Sequence, residues 1–441
     1  MDFRIHTRWA LNHDGKIIQD AEIQIEGKQF TYVGPRDKAE PLPGAEKLEF
    51  PKGLAVPPFL NAHTHLPETL IRGICDDEAL HVWLFEHVWK VEPAMQPSDA
   101  KIGALLGIAE LISTGTIGFV DQYFYSDQIA EAVLETGVKA FLAPSIFDGT
   151  PYNFSFDFET SFQTNKGVFD RWHEKENRIF VGFGVHAPYT VPRDWLEKIL
   201  AAAKERDTIM HIHLSETEKE TEDAKKNWNC TPIEYMNDLG ALKHIYAAHC
   251  VYTSQKDRKL LQENKTPVLS NVQCNLKIGS GIAPIPDYLE RKIPVCLGTD
   301  GSASNNNLDM LEEVRLASYL HKGVQKSPTI ISANEALALG TSNASVLFPN
   351  NSYTGKLKPG SPADLSIVDL GTINCTPVIN PLSNYLYAAS GQARLLTMAN
   401  GQILYQDGKF KTLNIEAIIP KAQKSIEEMM ERAEYIPKHL H

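Results

Sequence analysis

His63 and His65, separated by Thr64, follow the apolar run 54–60. Residues two apart on a strand point to one face, so both imidazoles can converge on a single point. Paired nitrogens reach a divalent metal in that way, although a bare H-x-H also describes two surface histidines just past a strand. A second pair, His211 and His213, follows another apolar run and precedes Glu216; His249 ends a third run and Asp300 a fourth, between Gly298 and Gly301. Taken singly, each histidine could be a hydrogen-bonded core residue and Glu216 a solvated loop charge. Burying unpaired charge costs several kcal/mol, so as a set these imidazoles and carboxylates call for a cation as counter-ion. Spacing alone leaves open which of His211 and His213 faces it.

Such residues need a scaffold that gathers strand ends. Between 57 and 354 the texture alternates strand and helix, with strands expected at 54–60, 116–121, 138–143, 179–185, 208–214, 245–250, 267–271 and 295–299. Helices are expected at 98–112, with Ser98 as N-cap, and at 126–136, stopped by Gly137. Eight short apolar runs with crossovers predict an α/β fold, a (β/α)8 TIM-like barrel, whose catalytic groups project from the C-terminal strand ends. The alternative, a doubly wound open sheet, lacks a G-x-G-x-x-G after any strand. Residues 1–56 and 355–412 share a pattern of short strands and turns and read as one composite β-sandwich domain around the barrel domain 57–354. The segment 413–441 reads as C-terminal and helical, with an exposed helix over 415–436.

Composition narrows the function classes. The 441 residues are 43% hydrophobic and 22% charged, an ordinary globular balance. A formal charge of −12 with no basic run argues against nucleic acid as a partner. No run approaches the roughly 20 apolar residues of a membrane helix, and the first residues lack a signal-peptide core, so a cytoplasmic location is expected. The six cysteines (75, 230, 250, 274, 296 and 375) form no C-x-x-C and read as reduced, buried thiols. The expected partner is a small-molecule substrate; a homo-oligomer, most simply a dimer, is the default assembly.

The motifs H63-T-H-L-P, T69-L-I-R-G, W83-L-F, G182-F-G-V-H-A-P-Y, H213-L-S-E-T, A248-H-C, N275-L-K, G281-I-A-P and G298-T-D-G-S-A-S-N-N span nearly the whole chain, which returns through G355-K-L-K-P-G-S-P-A-D-L. Together they resemble the amidohydrolase superfamily, in its cytosine-deaminase/chlorohydrolase branch, and most of all the 5-methylthioadenosine/S-adenosylhomocysteine deaminases. The resemblance implies that His63, His65, His213 and Asp300 ligate one divalent metal, zinc first, with iron, cobalt or manganese as alternatives. It makes Glu216, His249 and Asp300 catalytic, with Glu216 and Asp300 also touching substrate, and His186 a substrate contact. Strand four has no lysine that could bridge a second metal, and His81, His87 and His244 read as packing or surface residues. A divalent metal would lower its water's pKa from about 15.7 toward roughly 7. Asp300 would take a proton from that water, Glu216 would protonate the ring nitrogen beside the attacked carbon, and His249 would hold the attacking oxygen.

The same resemblance places Trp83 as an apolar wall and Glu92 as acceptor for a ribose 2′,3′-diol, where plain readings are core packing and a solvated helix end. Two departures bear on the substrate. No arginine occurs in 149–170, where S-adenosylhomocysteine would need a carboxylate clamp; phenylalanines 154, 156, 158, 162 and 169 stand there, as an apolar lid or a helix face. After strand seven the chain reads S270-N-V-Q-C-N in place of S-H-N-P-x-S-N. The expectation is a metal-dependent aminohydrolase of an adenosine-type nucleoside with a small or apolar 5′ group. The alternative is deamination or dechlorination of a triazine, pterin, guanine or cytosine-like ring.

Overall fold

The computed structural model describes residues 1–437; the end of the 413–441 segment lies outside them. Strands Phe59–Thr64, Thr116–Asp121, Lys139–Leu142 and Ile179–Val181 pair in parallel in one sheet. A second parallel sheet runs Ser145–Ile146, Phe183–Val185, Met210–Leu214, Ile245–His249, Val268–Ser270 and Val295–Leu297. The two sheets share their courses, because two segments pass from the first into the second. One does so through Ala143-Pro144, where proline supplies no N–H to a ladder. The other does so at Gly182, where a Cβ would meet the Ile209 carbonyl and the Phe141 ring.

The expected strand 54–60 is two strands. Glu46–Val56 belongs to the terminal sheet and Phe59–Thr64 to the parallel set, because Pro57-Pro58 between them cannot donate to either ladder. The helix expected at 98–112 is Pro97–Thr114, and its N-cap is Gln96, not Ser98. Pro97 occupies the first helical position and Asp99 reaches back to the Gln96 N–H at 2.9 Å, which leaves Ser98 in the first turn.

Both termini enter one eight-stranded sheet. Leu365–Asp369 pairs antiparallel with Glu46–Val56, which pairs in parallel with Phe3–Leu11. This sheet keeps its own core, including Phe3, Ile5, Ile23, Ile25, Phe30, Leu365 and Met398. It is also tied to the parallel sheets through polar contacts. Lys139 is fully buried; its Nζ donates to Asp364 Oδ2 and to the Ser352 carbonyl, both at 2.5 Å, and burial pushes its pKa down against the pull of Asp364. The helix Ile415–Arg432 is only partly exposed, contrary to expectation. Ile418, Ala422, Ser425 and Met429 form a buried stripe, and Ser425 Oγ donates to Asp99 Oδ1 of helix Pro97–Thr114 at 2.5 Å. Among the described residues no helix is long and apolar enough to cross a membrane.

Removing one partner of a buried ion pair strands the other charge. Lys139→Met is expected to lower the unfolding free energy by about 3–5 kcal/mol, read from chemical denaturation, with Asp364→Asn showing a similar loss. A change below about 1 kcal/mol, the value of a surface pair, would show that the pair does not hold the terminal sheet in place.

Candidate active site

The C-terminal ends of the parallel strands deliver His63, His65, His213, His249 and Asp300 to one place. Asp300 lies just beyond Val295–Leu297 and is fixed there by its N–H, which donates to the His63 carbonyl at 2.9 Å. The glycines flanking it are dictated by crowding. A Cβ at Gly298 would strike the His63 backbone, and one at Gly301 would strike the Glu68 carboxylate. Three strand ends turn through left-handed backbone at non-glycine residues: Ser215 (φ 53°), His249 (φ 69°) and Asp300 (φ 67°). Such conformations cost of order 1–3 kcal/mol each and persist where function over-determines them.

The hydrogen bonds around the imidazoles fix their tautomers. His65 Nδ1 donates to the Gln122 carbonyl and His213 Nδ1 to the His186 carbonyl, each at 2.6 Å. In the neutral imidazoles each Nε2 is then a lone pair; the two face each other at 3.2 Å, and His65 Nε2 lies 3.2 Å from Asp300 Oδ1. His63 Nε2, buried and without a hydrogen-bond partner, lies 3.3 Å from the same oxygen. Four donors about 2.0–2.1 Å from one cation in a tetrahedron would be roughly 3.3–3.4 Å apart. The spacing and the orphaned lone pairs therefore fit one divalent cation. Burial holds His63 down at about 4, and burial with neighbouring imidazoles keeps His213 well below its usual range. Burial also works against charge on His65, but Asp300 and Glu68 outweigh it and raise His65 to about 10. A site rich in carboxylates thus keeps a proton where a cation would sit. Burial raises Asp300, but His63 and His65 more than reverse this and hold it well below the carboxylate range.

His211 does not join the donors. Its Nε2 meets His63 Nδ1 at 3.0 Å and its ring stacks on that of His63. His249 Nδ1 donates to Asn275 Oδ1 at 2.9 Å, which turns its Nε2 toward Glu216 Oε2 and Asp300 Oδ2, both at 3.8 Å. Burial raises the pKa of Glu216, with Asp300 adding to the shift and His249 opposing it. The Ser215 and Glu216 N–H groups donate to the Glu220 carboxylate at 2.9 and 2.7 Å, so Glu220 fixes the turn that carries Glu216.

These groups open into a cavity lined by Trp83, Trp89, Phe124, Phe147, Glu92 and His186 among others. Trp83 Nε1 donates to the Ala303 carbonyl at 3.3 Å, and His186 packs against the stacked rings of Trp89 and Phe147. Glu92 is buried rather than solvated: Tyr123 donates to its Oε1 at 2.5 Å, and burial raises its pKa to about 7. Phe154 and Phe156 pack on Phe124 and Phe147 as an aromatic wall, whereas Phe158 and Phe162 lie on the helix Phe158–Trp172 against Trp195. Of the histidines set aside, His87 contacts the Tyr435 hydroxyl at 2.7 Å and His81 packs edge-on against Phe85. Among the described residues lining the cavity none is lysine or arginine.

Sequence reasoning missed four residues here. Glu68 lines the cavity with a buried carboxylate oxygen lacking a hydrogen-bond partner, and no pattern marked it. Cys274 gives its thiol proton to Asp300 Oδ2 at 3.0 Å. Gln122 had a signal, its place directly after an expected strand, and Glu220 had one in the Thr217-x-x-Glu220 helix start.

Residues 54–404 match the amidohydrolase family. The chain is 40% identical over 384 residues to a 5-methylthioadenosine/S-adenosylhomocysteine deaminase of Dictyoglomus thermophilum, covering 86% of this chain and 88% of the relative. It is 38% identical over 381 residues to a 5′-deoxyadenosine deaminase of Methanobrevibacter smithii, covering 86% and 87%. A zinc-bound adenosine deaminase from Xanthomonas campestris superposes with TM-score 0.93 at 27% identity, covering 98% of this chain and 99% of that one. A zinc-complexed atrazine chlorohydrolase from Arthrobacter aurescens shares the fold, with TM-score 0.87, 22% identity and coverage of 96% and 100%.

His213→Ala and Asp300→Asn should each weaken zinc binding by more than the 10–100-fold that loss of an outer partner costs, measured by chelator competition. Because imidazoles ligate only as free bases, affinity should fall as pH is lowered. Unchanged affinity in both variants would place the cation elsewhere.

Proposed function

The chain belongs to the amidohydrolase family and is a hydrolase of C–N bonds, and from that premise we propose that it deaminates an adenosine-type nucleoside carrying a small or apolar 5′ group. The observation that carries this reading is the pairing of a buried Glu92 with a cavity whose lining has no lysine or arginine. With Oε1 held by Tyr123, Glu92 keeps Oε2 for a ribose hydroxyl, while a 5′ carboxylate or phosphate would find no lysine or arginine to pair with. Both relatives are named for adenosine-type nucleosides, one of them for S-adenosylhomocysteine as well as 5-methylthioadenosine. We take the two parallel sheets as arcs of one (β/α)8 barrel and the terminal sheet as a β-sandwich rolled around its own core. The domain limits are then 57–354 for the barrel, 1–56 with 355–412 for the sandwich, and a helical C-terminal segment from 413.

His63, His65, His213 and Asp300 would hold one zinc ion. When bound, the ion supplies Lewis acidity, lowering the pKa of a water from about 15.7 toward roughly 7. The chain's own groups do the rest. Trp83 and the stacked Trp89 and Phe147 wall the purine's place and exclude bulk water. Glu216, whose acid form burial favours, donates to the ring nitrogen beside the amine-bearing carbon and makes that carbon electrophilic. Asp300 Oδ2 accepts a proton from the attacking water, and His249 Nε2, a lone pair while Nδ1 donates to Asn275, accepts a hydrogen bond from that water and orients it. One water is consumed: the proton that Asp300 took from it passes to the departing amine, the C–N bond breaks, ammonia leaves, and the proton of the new hydroxyl returns to Glu216 as the product carbonyl forms. An isolated triazine or pterin ring would leave Glu92 unengaged.

Ammonia release from 5-methylthioadenosine, 5′-deoxyadenosine, adenosine, S-adenosylhomocysteine, guanine and a triazine tests this reading. The 5′-neutral nucleosides should be turned over best; equal turnover of S-adenosylhomocysteine would overturn the apolar 5′ assignment, and turnover of free rings alone would overturn the nucleoside. Glu216→Gln should lower kcat by about 10²–10⁴-fold with metal content intact. Because burial raises the Glu216 pKa, its acid form persists to higher pH than an ordinary carboxylic acid, and kcat should fall as pH rises through that value.

A further inference from the structure

Gln122 follows Thr116–Asp121 and ties that strand to the first by donating its N–H to the Thr64 carbonyl at 3.1 Å. Its two oxygens face two different histidines. The main-chain carbonyl accepts from His65 Nδ1 at 2.6 Å, and side-chain Oε1 accepts from His211 Nδ1 at 2.8 Å. The second bond propagates. With its proton on Nδ1, His211 offers a lone pair at Nε2, and that lone pair accepts the Nδ1–H of His63 at 3.0 Å. His63 Nε2 is then a bare lone pair, and it is this atom that is buried without a partner 3.3 Å from Asp300. The reverse amide orientation would invert every proton in the chain and leave an N–H on His63 Nε2, aimed at the cation position.

We propose that Gln122 is a positioning residue for the metal centre, setting the proton placement on both imidazoles of the His63/His65 pair, on one directly and on the other through His211. The second histidine of the His211/His213 pair is thus a ligand and the first a relay. The relay is fully enclosed: His63 and His211 are wholly buried and Gln122 is 1% exposed, so no water can substitute for a lost acceptor. Gln122 Nε2 remains as a buried donor with no partner in the wall of the substrate cavity.

This inference rests on the metal reading above, and the test separates the two. Zinc affinity by chelator competition and the visible spectrum of the cobalt-substituted protein are measured for wild type, Gln122→Leu, Gln122→Glu, His211→Phe and His211→Gln. Gln122→Leu and His211→Phe keep volume but lose the acceptor; each should bind zinc 10–100-fold more weakly and shift the cobalt bands. Gln122→Glu and His211→Gln keep an acceptor oxygen and should recover most of that affinity. Wild-type affinity and spectra in both Gln122→Leu and His211→Phe would overturn the relay, as would a Gln122→Glu variant as weak as Gln122→Leu. Should His211→Phe fail to fold by circular dichroism, the two Gln122 variants decide. If the wild type itself takes up neither zinc nor cobalt, the metal reading fails first.

Discussion

The structure turns on a crowding of lone pairs. His65 and His213 each commit one ring N–H to a main-chain carbonyl, so their remaining nitrogens meet each other and an ionised Asp300 at 3.2 Å, where only a proton on His65 or a cation in its place reconciles them. In a buried setting that arrangement is repulsive until positive charge enters it. The left-handed turns at Ser215, His249 and Asp300 belong to the same balance, since backbone that would relax elsewhere is held where it delivers a donor atom. Outer hydrogen bonds from His249 to Asn275 and from the Ser215 and Glu216 N–H groups to Glu220 extend the fixed geometry one layer outward.

Holding several strand ends to ångström tolerance requires that the strands themselves not slide. The terminal sheet contributes to this from outside. Lys139 begins a parallel strand and is bound to Asp364, one residue before Leu365–Asp369. Arg394 spans the same seam, donating to Ser366 Oγ and to the Thr114 carbonyl at 2.7 Å each. Tyr353 donates to the Pro58 carbonyl at 2.8 Å, at the break that separates the terminal sheet from the first parallel strand. The catalytic end and the sheet from the chain's two ends are therefore mechanically one body, although no residue of that sheet lines the reaction cavity.

Much of this could be read from residue order, for identifiable reasons. Parallel strands buried on both faces leave apolar runs, so most appeared near their true places, and polar residues ending such runs stood out. The merged strand at 54–60 and the misplaced N-cap at Ser98 share a cause, because proline changes an element's boundary without changing its hydrophobic pattern. The roles of His211 and His213 could not be told apart, since two residues on one strand face share a direction and only their distant partners, Gln122 and His186, distinguish them. Glu68 was invisible because its environment is assembled from Gly301 and Ala303, far along the chain. The phenylalanine-rich stretch resolved into wall and helix face once the turn at Asp157, which caps Phe158–Trp172, divided it.

The absence of lysine and arginine from the cavity lining reaches beyond substrate fit. A nucleotide carries the same base and ribose with phosphate charge at the far end. A recess without lysine or arginine offers those phosphates no fixed cation to offset the cost of leaving water. Base and sugar alike, the two kinds of molecule are sorted by the charge at their tail.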